Sequence, residues 1–191
     1  MALIDEALSS ECMILSSAGA HARQDWLTII NRKRRDITKA DHTVWVTNSQ
    51  AAKPEIVQSF CAQSGARHVV FLSKKRDKPG TDTSNDDAAT RYSADSRNWS
   101  PLHTALTEVT GRITRATTGF WFCDLETIDH GKIDLTPFVK ADDGVPLTGF
   151  SNISSAYPVR RSSPASIEAD GTYEVLAVGR LGTPFAVWLR K

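Results

Sequence analysis

Three short apolar runs in the first part of the chain each end in small hydroxyl or amide residues, and two helix-patterned stretches lie between them. Cys12–Leu15 passes into Ser16-Ser17-Ala18-Gly19, Val44–Val46 into Thr47-Asn48-Ser49, and Val69–Leu72 into Ser73-Lys74-Lys75. This alternation of strand and helix predicts a parallel sheet whose strand ends gather on one rim. Ligands of open parallel sheets bind at that rim. The expectation is one α/β domain over 1–191: a mainly parallel, Rossmann-like, three-layer sheet closed by a C-terminal antiparallel hairpin.

The local signals follow that plan. Along Ala18–Ile37, Ala22, Trp26, Ile29, Ile30 and Ile37 recur at helical spacing, and the stretch finishes in Arg32-Lys33-Arg34-Arg35. Positive charge is favourable near a helix C-terminus. His42–Thr47 alternates β-branched and aromatic residues, as strands do. Pro54 suits the first turn of the next helix, Ile56 pairs with Phe60 and Val57 with Cys61 at i,i+4, and Gly65 is placed to stop it. His68–Leu72 is the third strand.

A polar loop spans 73–98, longer than compact domains usually carry. Beyond it, Trp99–Ile113 reads as a helix and Gly119–Leu125 as a strand, while Ile133–Val139 reads as a short strand or a helical turn. Residues 142–170 are rich in Gly, Pro, Ser and Asn and read as extended loops with one strand near Phe150–Ile153. Tyr173–Leu181 and Phe185–Leu189, joined by Gly182-Thr183-Pro184, read as a terminal hairpin.

Composition narrows the function classes. The 191 residues carry a net charge of +1, so bulk electrostatics argues for neither a nucleic acid nor a membrane, and such a partner needs a local patch. No apolar run approaches the roughly 18 residues of a membrane span. The opening Met-Ala-Leu-Ile-Asp-Glu is acidic where a signal peptide is basic. The expectation is a cytoplasmic or nuclear protein with no membrane partner. Cys12, Cys61 and Cys123 form no Cys-x-x-Cys or Cys-x-x-His pair, so no metal site is expected.

Gly65–Ser73 resembles the second-strand approach of short-chain reductases and ketoreductase domains, and Asn152-Ile153-Ser154-Ser155 resembles the strand that carries their catalytic serine. That resemblance implies a dinucleotide site. The chain departs from it in two places: the turn after Val46 has no glycine to let backbone approach a pyrophosphate, and Tyr157 is followed by Pro158 and Arg161 in place of a helical Tyr-x-x-x-Lys. No cofactor is assigned.

The candidate ligand-binding residues are therefore those of the rim: Ser16, Ser17, Asn48, Ser49, Ser73, Lys74 and Lys75. Their hydroxyls, amides and charges stand beside helix N-termini that attract anions, although the same residue types cap any helix. The leading expectation is a domain that binds a nucleotide-like or phosphate-bearing ligand there, nucleic acid included. His21, just inside the first helix, and Asp124, after an aromatic strand, are the candidate proton handlers if the rim is catalytic. That alternative makes the chain a small hydrolase or transferase. A second alternative is a non-catalytic interaction or assembly subunit, whose partner is another protein or a second copy of the chain. The basic groups Arg32–Arg35, Lys74–Lys78 and Arg160-Arg161 could meet phosphates only if they share a face.

Overall fold

The computed structural model describes residues 2–9, 11–16, 23–47, 49–73, 118–147, 156–163, 165, 167–168 and 173–188. The chain begins with helix α1 (Leu3–Ser9), strand β1 (Cys12–Ser16), helix α2 (Arg23–Ala40) and strand β2 (Thr43–Thr47). A short 3₁₀ turn (Gln50–Ala52), α3 (Pro54–Ser64) and β3 (His68–Ser73) follow. The second half is strands: β4 (Thr118–Ile133), β5 (Phe138–Lys140), β6 (Ala156–Arg161), β7 (Ile167–Glu168) and β8 (Tyr173–Trp188).

Local signals hold where they rest on backbone chemistry. Pro54 occupies the first turn of α3, and Gly65 ends that helix in the left-handed region at φ 72° while its N–H donates to Cys61 O at 3.0 Å. Val57, Phe60 and Cys61 turn inward and are buried. Helix α2 runs past the basic cluster to Ala40, so Arg32–Arg35 sit mid-helix and only Lys39 lies in the last turn. Asp41, at φ 62°, closes it with an N–H bond to Ile37 O.

The sheet is not the parallel, Rossmann-like one that the sequence suggests. Its order is β2-β4-β8-β3-β1-β6-β5, with β7 added to β4. Only β1 and β3 pair in parallel, and every other pairing among the described residues is antiparallel. Strand β2 lies at an edge, separated from β3 by β8 and β4, so the opening strands do not run side by side as a trio. The cause is the long β4–β8 ladder, which occupies the sheet positions that successive βα units would otherwise fill.

Two further expectations are corrected. Tyr173–Trp188 is one strand, not a hairpin: Gly182–Phe185 do not reverse the chain but bulge out where Phe120 pairs with Ala186 and Phe122 with Leu181. Ala156–Arg161, inside a segment read as loop, is strand β6 and covers the free edge of β1. Tyr157 therefore lies on a strand opposite Ile14, away from the helical setting of a reductase tyrosine.

The sheet separates two apolar clusters. Val69 and Phe71 point into one, with Ile29 and Ile30 of α2 and Val57, Phe60 and Cys61 of α3. Val70 and Leu72 point into the other, with Leu3, Ile4, Ala7 and Leu8 of α1. Arg161 anchors α1 from below, donating to Leu8 O and, at 2.7 Å, to Ser9 O, the unsatisfied carbonyls of a helix end.

Candidate anion-binding groove

The rim proposed from sequence is only partly assembled. Parallel pairing sets Ser16, the last residue of β1, opposite Leu72, one position before Ser73 at the end of β3. Ser49 comes near them by another route: its Oγ donates to Ala156 O at 2.8 Å, and Ala156 is the register partner of Leu15. That hydroxyl is buried and committed to backbone, and it does not cap the following turn. Ser17, His21, Asn48, Lys74 and Lys75 lie outside the described residues, as do Asn152–Ser155.

Asp124 stands elsewhere, midway along β4. Its Oδ1 accepts the N–H of Leu125 at 2.9 Å, and its Oδ2 lies 3.2 Å from Arg180 Nη2. Both side chains are about half exposed, so this pair contributes little to stability and its partners are open to exchange.

Asp124 and Leu125 form one side of an open groove of about 480 Å³ whose other side is α2, presenting Asn31, Arg34, Arg35, Ile37 and Thr38. The helical repeat explains the composition of that wall. Positions 31, 34, 35 and 38 recur at i, i+3, i+4 and i+7 and share one face of the helix. On α2, Ile29, Ile30 and Lys33 are buried, while Asn31, Arg34, Arg35 and Thr38 are exposed. Arg34 Nη1 reaches Asn31 Oδ1 at 3.4 Å, and Thr38 Oγ1 donates to Arg34 O at 3.2 Å.

Cations continue beyond the groove. Arg180 pairs with Asp124, and the carbonyl of Arg67 accepts the N–H of Leu181 at 2.7 Å, which sets the Arg67 backbone beside β8. The Arg67 guanidinium lies 5.5 Å from the Phe185 ring centroid. Arg34, Arg35, Arg67 and Arg180 are all exposed. Of the basic groups singled out from sequence, the Arg32–Arg35 group supplies this wall. Arg161 is spent on α1 and Arg160 lies 3.8 Å from Glu11. Lys74–Lys78 fall outside the described residues. Arg180, Arg67, Asn31 and Thr38 were missed. A lone charge within the apolar run Val178-Gly179-Arg180-Leu181 was the available signal for the first; Asn31 left none.

Beneath the groove, the inner side of α2 is polar as well. Lys33 is fully buried, donates to Val44 O and lies 5.4 Å from the Trp45 ring centroid. Asp36 is also buried, and its Oδ2 has no hydrogen-bond partner. Burial pushes the Asp36 carboxyl above its usual range, outweighing the pull of Lys33, Lys39, Arg32 and Arg35. A carboxyl raised by folding costs stability once pH exceeds its unfolded value, about 3.9, and costs nothing below it. Asp36→Asn is therefore expected to raise the melting temperature at neutral pH by about 1–3 °C. Melts at about pH 3 should show no such gain; a variant that melts lower at neutral pH would contradict this account.

Cys12 and Cys61 are buried thiols pushed up to about 12 and about 11 by burial, which leaves them protonated and unreactive. Among the described residues, no group of three or more His, Cys, Asp or Glu side chains is placed to hold a metal ion. Nor is any described helix long and apolar enough to cross a membrane. No protein-family model matches this chain, and no curated protein or solved structure matches it either.

Proposed function

We propose that the chain is a binding domain that holds the phosphodiester backbone of a nucleic acid in the groove between α2 and β4. The observation that carries this reading is the pair of exposed arginines on the helix wall, Arg34 and Arg35, opposite Asp124, whose carboxylate holds a third exposed arginine, Arg180, at 3.2 Å. All three are arginine, whose planar fork suits phosphate oxygens in bidentate contact and which loses less entropy per hydrogen bond than lysine. The neutral groups of Asn31 and Thr38 and the half-buried side chain of Ile37 fit a ligand with hydrogen-bonding and apolar parts as well as charge. An acidic peptide would offer the same charges without flat apolar faces, so it is the weaker fit. This site replaces the strand-end rim, of whose three strands only β1 and β3 run side by side in parallel.

Fluorescence anisotropy with a rhodamine-labelled oligothymidylate tests the reading. With three arginines on phosphates, a plot of log K against log salt should have a slope of about −2. Polyglutamate of equal charge should compete weakly. No measurable binding at low salt, or equal competition by polyglutamate, would remove the nucleic acid from the proposal.

A further inference from the structure

A row of charged and titratable groups crosses the sheet and joins the groove to the N-terminal helix. Asp124 on β4 and His68 on β3 are both register partners of Arg180 on β8, so the three side chains stand in line on one face. Arg180 Nη2 lies 3.2 Å from Asp124 Oδ2, and His68 Nε2 lies 3.4 Å from Glu6 Oε2 of α1. Carboxylate, guanidinium, imidazole and carboxylate thus alternate across three strands and a helix.

His68 is the member of that row suited to titrate near neutral pH. Its side chain is 11% exposed and both ring nitrogens lack a well-formed hydrogen bond. Burial is the main influence holding the imidazole below its usual range; Glu6 pulls the other way, and Arg180 adds to the lowering. On the β1 side, the nearest titratable group is the Cys12 thiol, which stays protonated, and neighbouring Glu11 faces Arg160. On its own strand, Arg67 precedes it and lies over Phe185.

We propose that polyanion binding in the groove is coupled to proton uptake at His68, so that the domain holds its partner more tightly in mildly acidic surroundings. This rests on the nucleic-acid reading above. A phosphate at the Arg180–Asp124 pair adds its negative charge to that of the carboxylate, further offsetting the cation that repels an imidazolium and attracting the imidazolium itself. A proton then passes from solvent to the ring nitrogen facing Glu6. By linkage, whatever makes protonation easier in the complex makes the complex tighter when the proton is present. Affinity should rise as pH falls through the value His68 has in the complex. It should level off below the value His68 has in the free protein.

The test is an anisotropy titration at constant salt from about pH 8 to about pH 5.5, with the rhodamine-labelled oligothymidylate, whose bases do not titrate in that range. The native chain should bind about three- to tenfold tighter at the acidic end. His68→Gln should abolish that dependence, and Glu6→Gln, which removes an attraction for the imidazolium, should move the rise to lower pH. An NMR titration of the His68 ring in the native protein should show it protonating at higher pH with the oligonucleotide bound, and it decides the matter if the glutamine variant does not fold. An unchanged pH profile in His68→Gln, or a ring titration unmoved by the oligonucleotide, would overturn the coupling while leaving the groove intact. No binding at any pH would overturn both.

Discussion

Reversing both groove arginines, Arg34→Glu with Arg35→Glu, should weaken oligothymidylate binding by about a hundredfold at moderate salt and flatten its salt dependence by one to two units of slope. The magnitude follows from the change: two contacts are lost and two repulsive charges appear on the same helix face. At an exposed site each reversal is worth about 1–1.5 kcal/mol. The fold should survive. Both side chains are exposed, whereas Ile29, Ile30 and Lys33 form the buried inner face of the helix. Coincident melting curves for variant and native chain, alongside the lost affinity, would place the effect in binding. Arg160→Glu serves as the control, because Arg160 lies away on β6 beside Glu11. If the groove reversal and the Arg160 change weaken binding equally, attraction is a matter of overall charge and the groove has no special part in it.

How much of this was legible in the sequence depends on the range of the forces involved. The caps of α3 were readable because Pro54 and Gly65 act on their own backbone. The strand at 68–73 was readable from its apolar residues, but its company was not. A run such as Val69-Val70-Phe71-Leu72 says that both faces are covered, and here α2 and α3 cover one and α1 the other. Parallel sheets between helix layers give the same run, so burial was mistaken for strand direction. Direction was decided by β4 and β8, which come from distant parts of the chain and pair along most of their length. Nothing local in Thr118–Ile133 or Tyr173–Trp188 announces that partnership. The groove was half legible for the same reason. Arg34 and Arg35 were visible as a basic cluster, but their place opposite Asp124 depends on α2 extending to Ala40 and packing over β4. Asp124 was singled out for a histidine partner; across the strand its neighbour is Arg180, a pairing set by register alone.

That register can itself be tested at Gly179, where a single methyl group should cost the fold about 2–3 kcal/mol. Gly179 is buried in the middle of β8, opposite Leu125 on β4 and Val69 on β3. A Cβ there would lie 2.4 Å from Phe122 Cε1, 2.5 Å from Cδ1 and 3.1 Å from Leu125 Cδ1, well inside contact distance. Phe122 cannot simply swing aside. It is fully buried, with Phe71 at 5.5 Å and Phe120 at 6.3 Å between ring centroids, and Phe71 in turn meets Trp45 at 4.8 Å. Replacing a strand glycine with alanine ordinarily gains about 0.5–1 kcal/mol from reduced backbone entropy, so the overpacking must exceed that gain for the net loss expected here. The melting temperature of Gly179→Ala should fall by about 5–10 °C. Adding Phe122→Leu should recover part of the loss, a coupling that a double-mutant cycle measures directly. Binding should suffer too, because Arg180 is the next residue, and widening the β4–β8 ladder at Gly179 draws its guanidinium away from Asp124. If Gly179→Ala melts with the native chain, Phe122 does not pack over β8. The alignment that sets Asp124, Arg180 and His68 in one row would then be wrong.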